Sequence, residues 1–184
     1  MRKFAIATLV TAALVSTANA QTSAPPVQGT VALEGTMKTF YKGLNAIIVT
    51  TMDGVEHTYH FAERLVVHGG KTPGPDALEG LQEGRMVVIH YSGQGSDQSA
   101  REIDIVGDEG LKVTEGRVVK IDRGRKEITI RFDNGQTETL RLTDRAAAEA
   151  GKDLGKTGGE AAHVVVYYED ENGQKVAHYF RKAS

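Results

Sequence analysis

Six histidines and three internal methionines, in a chain without cysteine, are the residue types here that could ligate a metal through imidazole and thioether. Met37, Met52 and Met86 fall in the same half of the chain as His57, His60 and His90. A set of Met37, His57, Met86 and His90 would suit a copper(I)-type cation, because thioethers are soft ligands. Spacing limits the idea. His57 and His60 lie three apart on one strand, so they point to opposite faces and cannot chelate together. His68 precedes Gly69-Gly70 in a loop, His90 sits in the fifth strand of the first half between Ile89 and Tyr91, and His163 and His178 belong to the second half. The plainer reading, adopted here, makes Met37 a core residue and the histidines surface or hydrogen-bonded groups, with no metal or other cofactor. The copper-binding reading stands as the alternative.

Other chemical motifs dissolve into loops. Gly70-Lys71-Thr72 and Gly155-Lys156-Thr157 end like phosphate-binding loops, but Leu65 and Ala150 stand where that motif needs its first glycine. Gly93-Gln94-Gly95 begins like a dinucleotide fingerprint, lacks the final glycine and lies between two strands, as a hairpin loop does. Glu169-Asp170-Glu171 flanks Asn172-Gly173 as a solvated hairpin tip; a calcium loop needs alternating Asp or Asn, a central Gly and a distal Glu. The chain has no Gly-x-Ser-x-Gly elbow and no His-Glu-x-x-His pair. The expectation is a non-catalytic protein, with an unrecognised enzyme the remotest alternative.

Compartment follows from the first residues. Arg2 and Lys3, the apolar run Phe4 to Val15 and the small-residue site Ala18-Asn19-Ala20 have the order of a signal peptide, spanning 1–20. The apolar run is shorter than the roughly 20 residues of a membrane-spanning helix, and no later run approaches that length. Cleavage would leave 20 basic against 24 acidic residues, a net charge of about −4. Charges alternate in sign with no basic block, which speaks against nucleic acid as a partner. A periplasmic or secreted protein is expected, soluble once cleaved, meeting another exported protein or a cell-envelope component. Without cysteine its fold must rest on packing rather than disulfides.

The elements that would position any site are written twice. Glu34-Gly35 returns as Glu115-Gly116, Ile47 as Ile128, Gly54 as Gly135 and Arg64 as Arg145, each 81 positions later. Further on the separation is 77: Val87-Val88-Ile89 against Val164-Val165-Val166, Tyr91 against Tyr168, Ala100 against Ala177. The organisation is therefore a leader over 21–30, a first repeat over 31–106, a link over 107–111 and a second repeat over 112–184. In each repeat, period-two strands such as Ile128, Ile130 and Phe132 meet two-residue turns at Asp53-Gly54, Asn134-Gly135 and Asn172-Gly173. Met37/Phe40 and Val118/Ile121 fall three apart, which breaks that period and marks a bulge in the first strand. A short helix capped by Asp144 and stopped by Gly151, and a weaker turn over Pro75 to Leu81, separate the third and fourth strands. This is the order of a mainly β, five-stranded OB-like barrel, with an SH3-like barrel as the alternative.

The Glu-Gly start, the Asp/Asn-Gly hairpin and the run Leu81-Gln82-Glu83-Gly84-Arg85-Met86-Val87-Val88 resemble the tandem small β-barrel domains of unknown function found in exported bacterial proteins. The resemblance spans nearly all of the mature chain. It implies fold and compartment, and no active-site residue.

One surplus remains. Val87, Ile89 and Tyr91 can line a barrel while Val88 and His90 face outward, and Val164, Val166 and Tyr168 leave Val165 and Tyr167 facing outward in the same way. An isolated barrel has no use for this second apolar face. Val88, His90, Val165 and Tyr167 are therefore the candidate interface, between the barrels or with an external partner.

Overall fold

The computed structural model describes residues 31–70, 74–149 and 161–183. Residues 1–30, read above as signal peptide and leader, and Lys71-Thr72, Gly151 and Gly155-Lys156-Thr157 lie outside the described residues. The first repeat forms β1 (Val31–Tyr41), β2 (Ala46–Thr51), β3 (Glu56–His68), β4 (Met86–Ser92) and β5 (Ser99–Ile105). The second forms β6 (Lys112–Asp122), β7 (Glu127–Arg131), β8 (Thr137–Leu142), α1 (Asp144–Glu149), β9 (His163–Glu171) and β10 (Gln174–Lys182). Each repeat closes into a barrel with its strands in the order first, second, third, fifth, fourth. The third and fifth strands run parallel and the other neighbours antiparallel. That order is OB-like, and it decides against the SH3-like alternative.

Local chemistry explains why both copies fold alike. The register shifts between Met37 and Thr39 and between Val118 and Lys120, so Met37 and Val118 stay in the barrel cores as the first strand bends. Gly35 and Gly116 sit where that strand crosses the second. A Cβ at Gly35 would lie 2.5 Å from Val49 Cγ1 and one at Gly116 would lie 2.9 Å from the Arg131 carbonyl oxygen, which accounts for the repeated Glu-Gly. Leu78, from a 3-10 turn over Gly74–Leu78, closes the first core, and Ala146 from α1 closes the second.

Several local expectations are corrected. Thr143 Oγ1, rather than Asp144, accepts the capping hydrogen bond from the Ala146 amide (3.1 Å), while Asp144 pairs with Lys126 (2.5 Å). Of the three expected two-residue turns, Asn172-Gly173 alone has positive φ at both residues, as a type I′ turn requires. At Asp53-Gly54 and Asn134-Gly135 the hairpins close one residue wider, with Thr51 bonded to Val55 and Phe132 to Gln136, and only the glycine is left-handed. His90 is in the fourth strand, not the fifth. His68 is the last residue of β3 rather than part of a loop, because the β3–β5 pairing runs on to His68 and Asp104.

A third cluster lies between the two cores. Val88, Val106, Leu111, Val165, Tyr167 and Tyr179 are buried together, with Ala32 and Ala183 packed against them. Burial of such side chains is worth about 1.5–3 kcal/mol each. The connecting segment is a closed turn in which Gly107 donates to Leu111 O and Leu111 donates to Ile105 O. Arg181 Nε donates to Glu34 Oε2 at the rim of the same seam (2.5 Å).

Candidate functional site

Beside the apolar part of the seam the two barrels bury ionisable groups. On the first barrel the pairing of β3, β5 and β4 sets His68, Asp104 and Val88 in one row, and Val66, Glu102 and His90 in the next. Glu102 and Asp104 alternate with the core residues Ile103 and Ile105, so both carboxylates leave the barrel on its outer face. The second barrel contributes His178 through a bulge. Ala177 pairs with Tyr168 and Tyr179 with Tyr167, and the extra residue between them is His178. Ala177 and Phe180 thereby stay in the core while His178 and Tyr179 both turn to the seam.

Four atoms converge there. His178 Nδ1 is 3.7 Å from Asp104 Oδ1 and 3.9 Å from Glu102 Oε1, and His68 Nε2 is 3.7 Å from that same Glu102 oxygen. The His68 and His178 rings meet edge to face with centroids 4.6 Å apart. His90, Glu102, Asp104 and His178 are all buried, and only His68 is partly open to solvent. Asp104 Oδ1 and His178 Nδ1 are buried without a hydrogen-bond partner, although they face each other.

Each buried member of the set is held by its other atom. His90 Nε2 bonds Asp104 Oδ2 (3.1 Å), Arg145 Nε donates to Glu102 Oε2 (2.7 Å), and His178 Nε2 bonds Glu169 Oε1 (2.8 Å). His90 Nδ1 reaches Glu149 Oε1 at 3.4 Å. His178 Nε2 is fixed by Glu169, so its Nδ1 faces the two carboxylates with a proton, which a ligating cation would have to displace. Metal-binding imidazoles and carboxylates are oriented in this way, by partners on the atom that does not ligate.

The electrostatics are those of a dry, carboxylate-rich site. Burial alone pushes the His90 imidazolium down, but Asp104 and Glu149 outweigh it and hold its pKa up to about 9. Burial opposes charge on His178 too, and Asp104 and Glu102 raise it to about 10. Burial would lift the carboxyls of Asp104 and Glu102; the facing imidazoles, joined by Arg145 at Glu102, hold both below the ordinary carboxylate range.

The residues singled out from sequence are placed as follows. Val88, Val165 and Tyr167 lie in the apolar seam and His90 in its polar part, so that face is covered by the other barrel. Met37 is inside the first barrel, His90 outside it, and Met86 on the solvent-exposed outer side of β4, so these three do not converge. His57 is half-buried against Tyr59, with ring centroids 6.1 Å apart. Glu102, Asp104, Glu149 and Arg145 carry the site without having been recognised as chemical residues. Two local signals could have marked single members, though not their meeting: acids at i and i+2 inside an apolar strand, and Ala177/Phe180 three apart, the same break in period that marks the bulge at Met37/Phe40.

Neither the comparison with family models nor that with curated proteins gives a match. Among solved structures the chain is similar to the crystal structure of silver(I)-bound CusF, at 12% identity and a TM-score of 0.31, over 42% of this chain and 97% of that one. The fold assignment rests on the strand order, and the site on its own geometry. Among the described residues no helix is long and apolar enough to cross a membrane.

Proposed function

We propose that the protein is an exported, non-catalytic binding protein whose ligand is a metal cation held at the seam between its barrels. One observation carries the reading: Asp104 Oδ1 and His178 Nδ1 are both buried and without a hydrogen-bond partner, 3.7 Å apart, with Glu102 Oε1 beside them. A buried polar atom without a hydrogen bond costs about 1–3 kcal/mol, and this ion pair, at 3.7 Å too long for one, leaves room for a cation that displaces the His178 proton and is held by both atoms. Four protein atoms would close a tetrahedral site, and closed sites hold a metal structurally, whereas catalytic ones keep a position open. The residues favour this seam over a site built from Met37, His57, Met86 and His90, since the barrel wall separates Met37 from His90. An exported or cell-envelope partner would have to meet a surface other than the seam.

Native mass spectrometry of the chelator-stripped mature protein, titrated with divalent and monovalent cations, tests the reading. One tightly bound cation per chain is expected, reduced by His178→Ala. Retention of mass by the stripped protein with every cation offered would overturn it. Export is tested separately by intact mass: the expected mature chain begins at Gln21, after the Ala18-Asn19-Ala20 site.

A further inference from the structure

Resting on that reading, we infer that the seam site takes a zinc-class divalent cation through two nitrogens and two oxygens, and that this cation clasps the two barrels together. The donors are one atom each from His68, His178, Glu102 and Asp104, all within 4.8 Å of one another, and the short separations run through His68 Nε2, Glu102 Oε1, His178 Nδ1 and Asp104 Oδ1. The set contains no sulfur. Cysteine is absent, Met37 is in the first core, and Met52 and Met86 are exposed, so a cation that prefers thioether or thiolate finds no soft ligand here. Calcium and magnesium ask for six or more oxygens and do not favour imidazole.

The distances fit a small tetrahedral ion. Ligands about 2.0–2.1 Å from zinc stand about 3.3–3.4 Å apart. Three of the six separations among the donors are 3.7, 3.7 and 3.9 Å and the others lie within 4.8 Å, so closing the site takes a contraction of a few tenths of an ångström along those three and a larger one elsewhere, above all in bringing His68 towards Asp104. The clasp follows from where the donors come from. The first barrel supplies His68, Glu102 and Asp104, and the second supplies His178. The second barrel also supplies Arg145 and Glu169, which hold the other atoms of Glu102 and His178. A cation bound by all four donors therefore exists only when the barrels are docked, and by linkage it stabilises docking.

Three measurements on the chelator-stripped mature protein test this together. X-ray absorption at the zinc edge should show a first shell of nitrogen and oxygen with imidazole scattering and no sulfur. Zinc at a hundredfold excess over its Kd should raise the unfolding midpoint by about 5–10 °C, with a single transition. Zinc should give no such rise in His178→Ala. His68→Ala, a change at the solvent-open edge of the seam, serves as the second variant if His178→Ala does not fold, and it should blunt the rise as well.

Copper(I) bound through sulfur in preference to zinc would overturn the zinc-class assignment while leaving cation binding standing. Zinc bound with an unchanged midpoint, or an equal rise in both variants, would overturn the clasp. Binding of no cation at all would instead remove the proposed function, and leave the seam as a plain ion-pair network.

Discussion

On the docking face of the first barrel His90, Glu102 and Asp104 are all ionisable, whereas their counterparts 77 positions later are Tyr167, Tyr179 and Arg181. The backbones beneath them match: His90 pairs with Glu102 across β4 and β5, as Tyr167 pairs with Tyr179 across β9 and β10. Both fifth strands carry one extra residue at the same place, Arg101 in the first barrel and His178 in the second. Arg101 donates from Nε to Ser92 Oγ (3.1 Å) and remains partly exposed, while His178 is buried against the carboxylates of the other barrel. Two equal frames thus came to differ in a few side chains, one face acidic and the other aromatic and basic. Complementarity lets each cover the other, and the site exists only at their junction.

The largest effect should come from breaking the apolar half of that junction. Val165→Asp or Tyr167→Asp removes packing worth about 1.5–3 kcal/mol and places an unpaired charge among Val88, Leu111 and Tyr179. A loss of about 5 kcal/mol or more is expected, enough to replace one cooperative transition by two, one for each barrel. Calorimetry checks this, and parent-like melting of both variants as one unit would show that the barrels are not coupled through these residues.

Next comes the polar half. Asp104→Ala strips the fully buried carboxylate that faces both His90 and His178, and removing one member of a buried charged set costs about 3–5 kcal/mol. Urea unfolding should report that loss. The equivalent change in the other barrel, Arg181→Ala, touches a partly exposed pair with Glu34 and should cost less, about 1–2 kcal/mol, which makes the asymmetry of the two faces measurable.

The fold was largely legible in the residues because a small barrel is specified by local signals that occur twice. Glu-Gly at the close crossing, the period break at Met37/Phe40 and Val118/Ile121, and the Asp/Asn-Gly turns each have a backbone cause within a few residues. Val88, Val165 and Tyr167 could be singled out by alternation alone. The site could not. Glu102 and His178 are 76 positions apart and on different barrels, and no local pattern states that two outward faces will meet. His68 was obscured because a parallel pairing with β5 extends β3 beyond its apolar alternation.

Protonation offers a milder and reversible way to probe the same faces in the metal-stripped protein. His90 titrates near 6.5 when unfolded and at about 9 when folded, so its contribution to stability is fully present below pH 6.5 and is lost as pH rises through about 9. Asp104 is depressed, so its contribution is present above the ordinary aspartate range near 3.8 and is lost as pH falls through its lower folded value. Stability should therefore be greatest between about pH 4 and 6.5, decline towards pH 9 to 10, and decline less in His90→Gln. A midpoint that rises from pH 6.5 to 9 would contradict a charged His90 at the seam.

The smallest effect is the sharpest comparison, because it is made at one position in two copies. Arg101→Ala removes a single hydrogen bond from a partly exposed bulge, so a loss of about 0.5–1.5 kcal/mol is expected, with one cooperative transition retained. His178→Ala at the matching bulge empties a buried position facing Asp104 and Glu102 and releases Glu169, and should cost several times more. Both changes delete the side chain of the extra residue in a fifth strand and leave its backbone pairing in place. Denaturant unfolding of the two variants side by side therefore separates the worth of the bulge as a bend in the barrel, common to both, from its worth in aiming an imidazole across the seam. Equal losses would mean that the second barrel's bulge serves its own closure and that His178 contributes nothing to docking.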